Sequence, residues 1–156
     1  MIYYITPSTN KVVAVTNDVM SHLNLQHQRG VKSKEAGGQL FAQFDGNMII
    51  VSKVTGPRKS DKRGRFFFNP DRNIEQREIN RMFLKGIHYV GDWHTHPERV
   101  PTPSRKDITS MSECVSHSTH ELDSFILMIV GQDNLPDGLW VSLHGATDFE
   151  QLHLLK

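Results

Sequence analysis

The run Phe125-Ile126-Leu127-Met128-Ile129-Val130 constrains the fold more than any other stretch of this chain. Its consecutive apolar residues offer water no polar face. Ser124–Val130 is therefore expected as a strand buried on both sides, in the middle of a sheet. A sheet buried on both sides needs helices to cover it.

The remaining elements fit that demand. Ile2–Ile5 and Val12–Val15 read as a hairpin, with Pro7–Asn10 as its turn. Gln39–Phe44 and Asn47–Val54 flank Asp45-Gly46, a strong short-range hairpin signal. Ile87–Trp93 and Leu139–Leu143 are further strands, and Phe66–Phe68 a short one. A first helix is expected after a cap at Asn17 or Asp18, with Val19, Met20 and Leu23 on one face and an end near Gly30. A second covers Asp71–Lys85, its apolar face drawn from Ile74, Ile79, Met82 and Phe83, with Gly86 as the stop. A third runs from Ser104 to about Ser118. Thr55–Arg65 is a polar, basic loop, and the last residues suit either strand or helix. Strands and helices alternate without a clean βαβ rhythm. The expected fold is α/β of the α+β type, a mixed sheet flanked by helices, as a single domain over residues 1–156.

Composition excludes several function classes. A formal net charge of +1 gives no whole-molecule field toward nucleic acid or anionic membrane. The single cysteine, Cys114, permits no internal disulfide and fits a reducing compartment. No signal-peptide pattern opens the chain, and no apolar run approaches the roughly 20 residues that span a bilayer. A cytoplasmic protein is expected, with neither nucleic acid nor membrane as partner. The one compositional hint of metal chemistry is nine histidines.

That hint concentrates in residues 94–107, His-Thr-His-Pro-Glu-Arg-Val-Pro-Thr-Pro-Ser-Arg-Lys-Asp. Side chains alternate along a strand, so His94 and His96 face one way and Thr95 the other. Asp107 falls in the first turn of the helix opened by Ser104, where the helix dipole favours an anion. Pro97, Pro101 and Pro103 restrict the loop between. Two imidazoles and one carboxylate are zinc ligands, and three protein ligands leave one position open for water. The +2 ion less one carboxylate charge leaves a positive site, which brings the pKa of bound water toward about 7. Upstream Glu35, in Lys-Glu-Ala-Gly-Gly-Gln-Leu, is the candidate general acid/base. Ser104 is the candidate donor to an oxyanion.

Each residue also has a plainer explanation. Ser104-x-x-Asp107 nearly matches a helix capping box, and a ligating Asp107 is not expected to cap freely. Asp92 shares the His94 face, where it orients a histidine, touches substrate or is merely solvated. Cys114 reads as a buried, inert thiol. His88 is in register with the ligands but further from the strand end, and reads as a satisfied core histidine. His117, His120, His144 and His153 carry no paired spacing. Arg58–Arg65 is a solvated loop or a substrate-docking edge.

Taken jointly, Glu35, His94-Thr95-His96-Pro97, seven residues, then Ser104-x-x-Asp107 resemble the JAMM (MPN-plus) metallopeptidase motif. The resemblance covers most of the chain. It implies a curved sheet of MPN/JAB, cytidine-deaminase-like architecture. It also implies one zinc ion on His94, His96 and Asp107, with Glu35 as acid/base and Ser104 as oxyanion stabiliser. Members of this family cleave isopeptide or peptide bonds after the C-terminus of ubiquitin-like proteins, holding the tail as an added strand. The short length and the stretch around Trp93 are most similar to compact bacterial JAMM proteins that deconjugate cGAS-like nucleotidyltransferases in CBASS antiphage systems. The implied partner is thus the C-terminal tail of a ubiquitin-like modifier or of a conjugated nucleotidyltransferase. Alternatives are a processing peptidase for a ubiquitin-like or sulfur-carrier precursor, and a non-catalytic MPN scaffold. Asp92 departs from the aromatic residue frequent in the family at that position, and Thr55–Pro70 occupies the place of the first ubiquitin-embracing insertion.

Overall fold

The computed structural model describes residues 1–118 and 122–156. In chain order the elements begin β1 (Ile2–Ile5), β2 (Val12–Val15), α1 (Asn17–Asn24), β3 (Gly37–Asp45), β4 (Met48–Val54), β5 (Lys62–Arg63) and β6 (Phe68–Asn69). They continue α2 (Arg72–Phe83), β7 (His88–Thr95), α3 (Arg105–His117), β8 (Phe125–Val130), β9 (Leu139–His144), β10 (Phe149–Gln151) and β11 (His153–Leu154). One mixed sheet has the order β10-β9-β8-β7-β3-β4-β2-β1-β11, and β5 pairs with β6 separately.

The two edge strands of that sheet, β10 and β11, are separated in sequence by Leu152 alone. One residue spans at most about 3.6 Å. The edges must therefore meet, and the sheet curls until it is nearly closed, which removes its exposed edges. The buried Leu152 donates its N–H to the Val141 carbonyl at 2.9 Å and ties the seam. The chain's last residues are thus strands, a choice their own sequence left open.

β8 is buried on both faces, as its composition requires. Ile126, Met128 and Val130 join the main core with Val13, Leu40 and Trp93, into which α1 inserts Val19, Met20 and Leu23. Phe125, Leu127 and Ile129 face the other way and meet Met111 and Val115 of α3. β7 runs parallel to β8 and antiparallel to β3, so the strand carrying the histidines lies inside the sheet.

Several expectations are corrected. Thr16 caps α1, accepting from Val19 N, and the helix ends at Asn24 rather than near Gly30. Asp71 caps α2 through Asn73 N and Ile74 N, but the expected apolar face is not the buried one. Phe83 is 63% exposed, and the buried residue of α2 is Glu75. The reason is a polar contact: Arg58, from the basic loop, donates to Glu78 Oε1 at 2.9 Å and lies 3.9 Å from Glu75 Oε2. The region expected as loop and short strand folds instead into the β5–β6 hairpin. His88 is out of register with the ligand histidines. β7 skips Val90 in its pairing with β3, and Gly91 adopts φ 151° against Ile126 O, where a Cβ would sit 1.8 Å away. This bulge reverses the alternation, so His88 turns to Phe44 and Phe83 while Tyr89 and Asp92 share the His94 face. His120 lies outside the described residues.

Candidate active site

β7 presents His94 and His96 on one face, and Thr95 points into the core on the other. Thr95, 0% exposed, donates its hydroxyl to Gln28 Oε1 at 2.8 Å and accepts from Ala36 N at 2.9 Å. Thr95 N also donates to Ala36 O at 2.9 Å. The residue between the histidines is therefore the clamp that holds the segment carrying Glu35. From the other side Glu35 N donates to Gly64 O at 2.7 Å, and Arg63 Nε donates to Glu35 O at 2.6 Å. The two glycines after Ala36 admit this packing. A Cβ on Gly38 would lie 1.7 Å from Thr55 O, and one on Gly37 would lie 2.6 Å from the Phe68 ring.

Asp107 comes from the first turn of α3. Ser104 is the N-cap, its Oγ accepting from Asp107 N at 3.1 Å, and Ser104 N donates to Asp107 Oδ2 at 2.8 Å. The capping box thus exists in full. The expected conflict between capping and facing the histidines does not arise. One carboxylate does both, because the backbone N–H fixes the rotamer that aims it at the imidazoles. The preceding loop is held by β8's far end, through Gln132 N to Glu98 O at 2.7 Å and Asp133 N to Arg99 O at 3.1 Å.

The resulting geometry is tight. His94 Nε2 and His96 Nε2 are 3.1 Å apart; Asp107 Oδ1 is 3.3 Å from the first and Asp107 Oδ2 is 3.2 Å from the second. Tetrahedral zinc with ligands at about 2.0–2.1 Å has ligand–ligand edges of about 3.4 Å. Nitrogen and carboxylate donors at nearly that spacing fit such an ion. A Glu35 carboxylate oxygen also lies within 4.8 Å of both imidazoles. Two carboxylates thus face one site. Asp107 is at ligand spacing, and Glu35 is free to stand just outside it.

Electrostatics separate the two acids. Burial raises the Glu35 carboxyl, with His94 and His96 pulling the other way and Asp107 adding to the rise. Burial also acts to raise Asp107, but hydrogen bonds from His94 and His96 outweigh it and hold the carboxyl well below the usual range. For His96, burial works downward, and the Asp107 hydrogen bond and charge win to raise it. His96 Nδ1 lies 3.5 Å from Glu98 Oε2, a carboxylate that favours the tautomer leaving Nε2 for a metal.

The site opens into a cleft of about 540 Å³ lined by Glu35, His94, His96, Ser104 and Asp107, and also by Phe66–Phe68, Glu75, Asp92 and Met111. Asp92 accepts from Tyr89 Oη at 2.9 Å rather than from a histidine. Burial raises the Cys114 thiol, which sits 3.6 Å from Tyr89 Oη. His144 is buried against Ser142 Oγ at 2.7 Å and stacks on Phe149, away from the cleft lining. Gln28, Thr95 and Arg63 were missed as site-building residues. For Thr95 the signal existed, a hydroxyl amino acid facing the core beside two ligand-type histidines.

A sequence model described as prokaryotic homologues of the JAB domain matches residues 18–142. The chain belongs to the prokaryotic JAB family. Among its JAB relatives, a CD-NTase/cGAS isopeptidase of Escherichia coli is 28% identical over 143 residues, covering 90% of this chain and 86% of its own. A protein of the same name from Vibrio cholerae is 29% identical over 124 residues, covering 78% and 77%. A probable metalloprotease of Sinorhizobium fredii is 37% identical over 67 residues, or 40% of this chain and 41% of that one. In structure, a protein from Desulfitobacterium hafniense superposes with TM-score 0.60 at 18% identity, over 89% of this chain and 88% of that one. The resemblance drawn from the motif thus holds, and this JAB chain is a JAMM-type peptidase with a site fit for a metal.

Proposed function

We propose that this chain is a zinc isopeptidase that hydrolyses the amide bond joining the C-terminus of a cGAS-like nucleotidyltransferase, or of a ubiquitin-like modifier, to its target in bacterial antiviral defence. The observation that carries the reading is the convergence of His94 Nε2, His96 Nε2 and the Asp107 carboxylate at 3.1–3.3 Å, with Glu35 beside them. The names of the relatives support the substrate class.

His94, His96 and Asp107 would hold the ion. Bound there, zinc supplies a Lewis acid that polarises the scissile carbonyl and makes water acidic near neutral pH. Glu35 takes the proton of the attacking water and returns it to the leaving amine. A carboxyl raised by burial is better matched to both transfers than an ordinary one. Ser104 Oγ already accepts from Asp107 N, and among the described residues its O–H has no acceptor. That proton is free to meet the developing oxyanion. The capping box holds Ser104 and Asp107 in one rigid turn, so oxyanion donor and ligand keep a fixed separation.

No helix among the described residues is long and apolar enough to cross a membrane. A cytoplasmic setting, with the unpaired Cys114 kept reduced, belongs to the same proposal. The test pairs metal analysis with cleavage of a nucleotidyltransferase joined through its C-terminus to a reporter. One zinc per chain is expected, with turnover abolished by Glu35→Ala while zinc is retained. A Glu35→Ala protein that keeps both zinc and full activity would falsify the mechanism.

A further inference from the structure

The cleft also holds chemistry that hydrolysis does not use. Asp92 lies two residues before His94 on β7 and shares its face, so its Cα is about 6.6 Å further along the strand. One Asp92 oxygen accepts from Tyr89 Oη at 2.9 Å; the charges of Arg72, His94 and Arg58 act on this carboxylate, but among the described residues none of them lies within ion-pair distance of it. The nearby acid Glu75 is already served, with Arg72 Nη1 at 3.0 Å and Arg58 Nη1 at 3.9 Å.

A second observation is independent of the acids. Gln39 is 3% exposed, and its Oε1 has no hydrogen-bond partner. Gln39 pairs directly with Asp92 across β3 and β7, which puts both side chains on the same face. A buried acceptor without a donor therefore sits beside a half-buried carboxylate that no cation touches directly. Both can accept from a positively charged hydrogen-bond donor. The approach to them is apolar, past Phe66, Phe68 and Met111, and Phe66 is 75% exposed. An aliphatic stem fits such walls while its charged tip reaches the acid. A single carboxylate between apolar walls suits an organic cation better than a hard divalent ion, which takes six or more oxygen ligands.

We propose that the part of the cleft lined by Phe66, Phe68, Met111 and Asp92, with Gln39 opposite Asp92 on β3, is a specificity subsite for a lysine or arginine side chain of the substrate segment. The identification of the occupant as substrate rests on the peptidase reading; the cation site itself does not. The subsite lies about one side-chain position from the reacting amide. It would let a short tail be recognised without a large docking surface.

The probe is butylguanidinium, which does not ligate zinc, set against its neutral isostere butylurea. Each is titrated into the zinc-loaded full chain while amide shifts are followed by NMR. Saturable shifts centred on Gly91–Trp93 and Glu75 are expected, with butylurea about tenfold weaker, the size of one charge-assisted hydrogen bond. Asp92→Asn keeps an acceptor for Tyr89 and should lose about the same factor, whereas Asp92→Glu restores binding. Equal binding of the two probes overturns the proposal, as do unchanged affinity in Asp92→Asn and shifts centred elsewhere. A chain that binds butylguanidinium at Asp92 yet cleaves no conjugate refutes the peptidase reading and leaves the cation site standing.

Discussion

Replacing Thr95 with valine tests how the site is built, because it changes shape little and deletes one hydroxyl. That hydroxyl, fully buried, donates to Gln28 Oε1 at 2.8 Å and accepts from Ala36 N at 2.9 Å. Valine leaves a buried acceptor and a buried donor unsatisfied, at about 1–3 kcal/mol each. The added methyl group recovers about 1 kcal/mol of burial. The net loss is about 1–5 kcal/mol, or roughly 2–20 °C in Tm for a domain of this size. Thr95→Ser keeps both hydrogen bonds, loses one methyl group and should cost about 1 kcal/mol. Urea unfolding of the three proteins, with matched m-values, measures the contrast. Ala36 adjoins Glu35, so turnover should fall further in the valine variant than zinc occupancy does. A valine variant within about 0.5 kcal/mol of the native protein, or as stable as the serine variant, refutes the claim that this hydroxyl clamps the Glu35 segment.

Three other outcomes are expected. Gly38→Ala drives a Cβ to 1.7 Å from the Thr55 carbonyl, so β3 or β4 must shift; a loss of about 3 kcal/mol is expected in the same unfolding assay, with disturbed placement of Glu35. In the metal-free chain the Asp107 interaction raises His96, so a proton competes for the ligand set, and zinc affinity measured against a chelator should fall as pH drops. Burial lowers His144 to about 4, against an unfolded value of about 6.5. Its neutral ring thus contributes stability that is complete above about pH 6.5 and is lost as pH falls through about 4, a total of about 3 kcal/mol. His144→Asn should flatten the stability profile across that window, and an unchanged slope would show that other groups cause it.

The candidate site was largely legible because its spacing is local. A two-residue strand period aligns His94 with His96, and a helix N-terminus three residues long joins Ser104 to Asp107. Those rules act over a few residues and need no knowledge of the rest of the chain. What failed was whatever depended on a neighbour. The parity that seemed to align His88 with the ligands is broken where β7 bulges against β3 and β8 at Gly91. The α2 face was misjudged because Arg58, seventeen residues before Glu75, offers buried ion pairs that outweigh burying Phe83. Gln28 carried no local mark, since its partners Ser33, Arg65 and Thr95 converge only in the folded chain.

By itself, then, the sequence determined the strand that had to be buried, the ligand types and their order, and the family to which that order belongs. Those features are written in residue chemistry and short periods. Tertiary structure alone decided that the sheet's edges meet at Leu152, that one Asp107 carboxylate both caps α3 and faces two imidazoles, and that Gln39, whose buried Oε1 has no partner, lies opposite Asp92. Each of these depends on distances between segments far apart in the chain. Such distances come from packing, and no local pattern encodes them.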